Sequence, residues 1–149
     1  MAIAGGPSLK ARAIAHLSRR EHSRRELERK LAPHASDARA LAEVLDALED
    51  DGWQSDERFA QSLLNRRAGA LGIRRIRLEM REHGLDPALV EEVLQGLDAS
   101  EEARAREVWE RKFGQAAVDA RDYARQYRFM MSRGFGPDCL RRILSRPPA

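Results

Sequence analysis

The chain has 149 residues, with 27 Lys and Arg against 24 Asp and Glu, four His and a single cysteine, Cys139. One cysteine excludes an intrachain disulfide framework, no stretch nears the roughly 20 apolar residues of a membrane span, and Met1 to Ser8 has neither the basic start nor the apolar run of a signal peptide, so a cytoplasmic protein with no membrane partner is expected. The net charge of +3 matters less than its distribution, since a plain nucleic-acid binder tends to be basic along its whole footprint.

Every segment that follows reads as helix. Ala13 and Leu17 mark the inward side of a first helix. Ser23, with Glu26 three residues on, is a capping box, and it opens a short second helix that turns Leu27 and Leu31 inward. Leu41, Val44, Leu45 and Leu48 then fall at i, i+3, i+4 and i+7, an amphipathic third helix rich in acid. Ser55, followed by Asp56 and Glu57 placed favourably against the helix dipole, starts a fourth with Phe59, Ala60, Leu63 and Leu64 inward. A fifth carries Ile73, Ile76 and Met80. Asp86-Pro87 gives an N-cap and a proline at the first helical position of a sixth, where Val90, Val93, Leu94 and Leu97 repeat the steps of the third. Beyond Ser100, Val108, Trp109 and Phe113 line a seventh helix, Tyr127, Met130 and Met131 an eighth, and Leu140, Ile143 and Leu144 a ninth.

These helices are three copies of one unit. Ser18-Arg19-Arg20 ahead of Ser23 to Leu31 returns 47 to 49 residues later as Asn65-Arg66-Arg67 ahead of Gly72 to Met80, and Arg133 to Leu140 lies over His83 to Val90 at an offset of 50. Periods of this length belong to stacked helical units, each too small to be stable without its neighbours. The fold class expected is all-α: three tandem three-helix repeats, at residues 8–52, 53–98 and 99–146, forming an elongated, curved array, with short tails at 1–7 and 147–149.

Charge follows the repeat. Residues 1–34, 35–57, 58–83, 84–102 and 103–149 carry net charges of +5, −7, +5, −6 and +6. Acid in alternation with base points to a partner that offers both signs, DNA dressed in protein rather than DNA alone. Arg74, Arg77 and Arg81, at i, i+3 and i+7, run one residue beyond the apolar stripe of the fifth helix and form a ridge, with Arg75 beside it. Arg24, Arg25, Arg29 and Lys30 occupy the matching helix of the first repeat, and Arg66 and Arg67 the preceding turn. These ten are the candidate partner-binding residues, weighed against the ordinary reading of such arginines as a solvated face pairing with nearby Glu.

Other constellations point to structure rather than chemistry. Asp50, Asp51, Asp56 and Glu57 straddle a turn and a helix start, so caps explain them better than a nuclease metal. His16, His22, His34 and His83 lack ligand spacing with one another or with Cys139, whose alignment with Leu89 predicts a buried thiol. Trp53, Trp109, Tyr123, Tyr127 and Phe129 are expected in the core ahead of any role in stacking bases. No glycine pattern makes a phosphate loop. Neither a catalytic residue, a metal site nor a cofactor is expected, and the protein is not expected to be an enzyme.

Ala13 to Leu31 (AIAHLSRREHSRRELERKL), Asp51-Gly52-Trp53-Gln54-Ser55-Asp56-Glu57-Arg58-Phe59-Ala60, Gly72 to Leu85 (GIRRIRLEMREHGL) and Arg128-Phe129-Met130-Met131-Ser132-Arg133-Gly134-Phe135 together resemble the bacterial RecX family. Their order and spacing span nearly the whole chain. Met80 stands where that family usually has leucine, a tolerable core exchange, and Glu82-His83 stand where a basic residue is usual. The resemblance implies a crescent of three three-helix repeats, a monomer, that binds in the groove of the RecA recombinase filament on single-stranded DNA and restrains its ATPase and strand exchange. The alternative from the residues themselves is a direct DNA-binding protein, with Arg74, Arg75, Arg77 and Arg81 on a helix-turn-helix reading helix; the acidic blocks argue against it.

Overall fold

A computed structural model describes residues 6–147, so most of the tails expected at 1–7 and 147–149 lies outside the described residues. Among these residues the chain has nine α-helices and no strand: α1 (Leu9–Leu17), α2 (Arg24–Leu31), α3 (Ala38–Asp50), α4 (Asp56–Arg67), α5 (Ile73–Glu82), α6 (Pro87–Leu94), α7 (Asp98–Lys112), α8 (Ala120–Ser132) and α9 (Pro137–Ile143). A single 3-10 turn, Ala32–His34, follows α2, where Pro33 has no N–H to continue the α-helical pattern. Helix starts are set by side-chain oxygens that accept from otherwise orphaned N–H groups. Ser8 caps α1, the Ser23–Glu26 capping box closes on α2, and Asp86 caps α6. Asp37 and Asp119 do the same for α3 and α8.

The described chain forms two compact units, with the division inside α4. The first runs to Ser62 and takes in His83–Leu85. Its core is Ala13 of α1, Leu27 and Leu31 of α2, and Leu41, Leu45 and Leu48 of α3. Phe59 of α4 is buried as well and meets the His83 ring edge-on, with centroids 4.9 Å apart.

The second unit spans Leu63–Glu82 and the chain from Asp86 onward. Ile73, Ile76 and Met80 of α5 and Val90 and Leu94 of α6 are buried, while α7, α8 and α9 close over Ala105, Val108, Met130, Phe135, Cys139, Leu140 and Ile143. Cys139 is a free, buried thiol, and its pKa is raised, chiefly by that burial.

In each unit a turn glycine lies against the start of a helix, and among the described residues backbone hydrogen bonds join the two in the second unit only. In the second, the Gly72 N–H donates to the Arg133 carbonyl (2.8 Å) and the Arg74 N–H to the Gly134 carbonyl (3.2 Å), so the turn between α8 and α9 takes up donors from the start of α5. The backbones come so close that a Cβ on Gly72 would lie 2.4 Å from the Gly134 oxygen, and one on Gly134, at φ +96°, 2.4 Å from the Arg75 Cβ. In the first unit Gly84, at φ +76°, lies against Arg25, with 2.6 Å from a built Cβ to the Arg25 Cδ. Gly84 and Gly134 are equivalent, fifty residues apart, but Arg25 is the counterpart of Arg74 rather than Arg75, so the two glycines meet neighbouring positions of the matching helices. A carboxylate completes each joint: Asp56 accepts from the Arg24 N–H at 2.9 Å, and Glu101 from the Ile73 N–H at 3.3 Å. Each sits at the positive end of a helix dipole.

Expectations about the core need correction on α8 and at Trp53, and Trp109, Tyr123 and Phe129 are only partly buried against it. Gln126, a polar residue passed over among the core positions of α8, is buried, whereas Tyr127 and Met131 are only partly so. Its amide is satisfied: the Trp109 Nε1–H donates to Oε1 (2.9 Å), and Nε2 donates to the Gln115 carbonyl (3.1 Å), which removes the penalty for burying it. Trp53 is 44% exposed rather than in the core. Its neighbour Gln54 is buried instead, donating to Asp56 and to the His22 carbonyl.

Candidate functional site

The ten basic candidates divide by what already holds them. In the first unit Arg24 reaches Asp46 (2.7 Å) and Glu49 (2.9 Å) on α3; burial alone would lower its pKa, but those hydrogen bonds outweigh it and raise the pKa above the ordinary value. Arg25 lies along Gly84. Lys30 faces His22, with Nζ 3.2 Å from Nε2, and Arg29 is exposed with no side-chain partner among the described residues. In the second unit Arg67 grips Glu79 through Nε and Nη2 (2.9 to 3.2 Å), while Arg66 is exposed and unpaired among the described residues.

The arginines of α5 part company. Arg77 is held by Glu91 of α6, its Nε 3.1 Å from both carboxylate oxygens. Arg75 donates to the Ser132 carbonyl (3.1 Å), and Arg74 leans over Gly136, its Nε 3.5 Å from a built Cβ. Arg81 is exposed, with no side-chain partner among the described residues. The helical spacing keeps Arg74, Arg77 and Arg81 on one side of α5, and it places Leu78 at the edge of that side, next to Arg74 and Arg81. Leu78 is 52% exposed. Its neighbours one turn away on the helix are Arg74, Arg75, Arg81 and Glu82, and an exposed apolar side chain beside arginines has the character of a protein-contact centre, which the sequence reading passed over.

Part of the charge alternation is spent inside the molecule. The acids of α3 and α6 neutralise basic residues of α2 and α5 through Arg24–Asp46, Arg24–Glu49 and Arg77–Glu91. Of the ten candidates, Arg25, Arg29, Lys30, Arg66, Arg74, Arg75 and Arg81 have no carboxylate partner among the described residues. Among the described residues no three or more His, Cys, Asp or Glu are grouped to hold a metal ion, and no helix is long and apolar enough to cross a membrane. Asp56, weighed above as a metal ligand, is occupied by the Arg24 N–H and Gln54.

Arginines missed by the sequence reading hold the carbonyls at loop ends. Arg104 of α7 donates to Ala68 (2.9 Å) and Leu71 (2.8 Å), the carbonyls that follow α4, and Arg58 donates to Gly52 (2.7 Å) and Trp53 (3.0 Å) after α3. The helices from α7 onward also carry two clusters of aromatic and basic side chains. Lys112 and Arg133 stand 5.1 and 4.8 Å from the Phe129 ring centroid. Tyr123 and Tyr127 stack with centroids 6.2 Å apart beside Arg146.

We expect His22 to make the first unit sensitive to pH. It is 2% exposed, and burial, its largest influence, lowers its pKa below 6.5. The neutral ring fits its partners: Nδ1–H donates to the Arg20 carbonyl (3.0 Å), and Nε2 accepts from Lys30. The unfolded chain therefore takes up a proton before the folded one does. We expect stability to hold above about pH 6.5 and to fall as pH drops from there toward the folded pKa, by about 1.4 kcal/mol per unit of depression. Thermal melts between about pH 7.5 and 5 will show that slope in the wild type and a flatter one in His22→Asn; equal slopes would remove His22 as the cause.

Comparison with known proteins places this arrangement. Residues 55–94 match the second three-helix domain of RecX and residues 100–144 the third. The chain is 49% identical over 137 residues to the regulatory protein RecX of Ralstonia nicotianae, covering 92% of this chain and 86% of that one. It is 51% identical over 128 residues to the protein of that name from Herminiimonas arsenicoxydans (86% and 85% covered), and 39% over 140 residues to that of Pseudomonas syringae pv. tomato (93% and 90%). The crystal structure of RecX from Lactobacillus salivarius superposes with a TM-score of 0.79 over 91% of both chains at 20% identity, which shows a shared fold.

Proposed function

The chain belongs to the RecX family of regulatory proteins, and from that premise we propose that it binds the RecA recombinase filament on single-stranded DNA and restrains its ATPase, strand-exchange and coprotease activities in DNA repair and recombination. It acts as a cytoplasmic monomer built of repeats at 8–52, 53–98 and 99–146, without catalysis of its own. The observation that carries this reading, beyond family membership, is the exposed side of α5, where Leu78 stands between Arg74 and Arg81 while Arg77 is tied back to Glu91. A surface with an apolar centre and a cationic rim suits a partner made of protein and phosphate together. Direct reading of duplex DNA is less well supported, because Arg77 and Arg75 are held by partners within the protein.

A titration tests it. Substoichiometric protein is expected to lower the single-stranded-DNA-dependent ATPase of the cognate recombinase, and to bind the filament more tightly than bare single- or double-stranded DNA. Equal affinity for bare DNA with an unchanged ATPase would overturn the proposal.

A further inference from the structure

On α8, Tyr123 and Tyr127 sit one helical turn apart and stack with their rings 27° from parallel. Both are half-buried, and neither phenol hydroxyl has a protein partner among the described residues, so each ring has an apolar body in the protein and a polar tip in water. The rings border a cavity of about 300 Å³ whose remaining walls are Ala124, Arg128, Arg141 and Arg146. Arg146 stands 5.6 Å from the Tyr123 centroid. Arg141 pairs with Asp138, but Arg128 has no carboxylate partner among the described residues and no acid lines the cavity.

That combination has a chemical complement. An aromatic wall gains from a flat π-face laid against it, and uncompensated guanidinium groups gain from phosphate. A nucleotide in a single strand offers both, whereas the bases of a duplex have their faces already stacked. The two neighbouring cavities fit less well. Around Phe129 the ring is already taken by Lys112 and Arg133 and by the edge of Phe113. The cavity by Arg74 and Arg142 is lined by Asp98, Glu101, Glu102 and Asp138, which repel phosphate.

We propose that Tyr127 and Tyr123, with Arg128 and Arg146 at the rim, form a subsite where the third repeat stacks an unpaired base of single-stranded DNA and holds its phosphates. The subsite deepens the filament reading by giving the protein its own grip on the strand. It is built on α8, whereas the surface proposed for the recombinase is on α5.

The test uses the whole protein and bare DNA, so that it stands or falls independently of the recombinase. Binding of a fluorescein-labelled dT oligonucleotide of about 12 nucleotides is followed by anisotropy across a range of salt. Tyr127→Leu, which keeps apolar bulk but loses the ring, is expected to weaken binding roughly tenfold, and Tyr127→Phe to leave it unchanged. Arg128→Ala is expected to reduce the slope of log affinity against log salt by about 0.7. An oligonucleotide carrying 5-iodouracil is expected to photo-crosslink to Tyr127 or Tyr123. Unchanged binding in Tyr127→Leu, equal loss in Tyr127→Leu and Tyr127→Phe, or equal competition by polyglutamate would each overturn the subsite. Oligonucleotide binding that follows this pattern while the recombinase ATPase is unaffected would uphold the subsite and sink the filament reading instead.

Discussion

Gly134→Ala is expected to cost about 3 kcal/mol of stability, against about 1 kcal/mol for Gly52→Ala. Both glycines have positive φ, +96° and +80°, so both substitutions meet the backbone penalty of an L-residue in that region. Only Gly134 meets anything else. A Cβ there would lie 2.4 Å from the Arg75 Cβ and 2.6 Å from its backbone nitrogen, whereas at Gly52 nothing is within 4 Å. Main-chain atoms cannot swing aside as a side-chain end can. The start of α5 must move off the turn, and the Gly72–Arg133 and Arg74–Gly134 hydrogen bonds lengthen with it. For a chain of this size each kcal/mol corresponds to about 2–4 °C, so the Gly134 variant should melt roughly 10 °C lower and the Gly52 variant only a few degrees lower. Equal shifts for the two would mean that the close approach contributes nothing.

Leu78→Asp combined with Arg81→Glu is expected to raise the concentration for half-inhibition of the recombinase about 30-fold, the loss of one interface hot spot of about 2 kcal/mol. Both side chains are exposed, and Arg81 has no partner among the described residues. Substitution there should leave melting nearly unchanged. Arg77→Ala provides the contrast: its guanidinium is bound to Glu91, so its loss should weaken inhibition by less and cost a little stability. Inhibition by the double variant at the wild-type concentration would remove this side of α5 from the proposed contact.

The helices were legible because their signals are local. Period-3.6 spacing located the buried residues Leu41, Leu45 and Leu48, and Val90 and Leu94, and the Ser23–Glu26 and Asp86–Pro87 signatures marked helix starts. What sequence could not show was which charges meet. Arg24 and Asp46, or Arg77 and Glu91, are on different helices, and only packing brings them together. The alternation of charge therefore overstated what a partner could reach. Gln126 escaped notice for a related reason: it stands where Leu27 and Ile76 stand in the other copies, but its polar atoms are satisfied by Trp109 and Gln115, which lie 17 and 11 residues away. Leu78 was hidden by the strength of its surroundings, since an arginine-rich helix draws attention to the arginines.

The joint between the start of α5 and the turn after α8 asks little of the genetic text. Its shortest hydrogen bond joins main-chain atoms, so beyond the Arg75 and Glu101 side chains it requires little more than two positions with no side chain. Outward-pointing side chains that make no such internal contact are left free to drift. A lineage can rewrite the address on such a protein's surface without recutting its skeleton, and a backbone match of 0.79 at 20% identity is the kind of divergence that freedom permits.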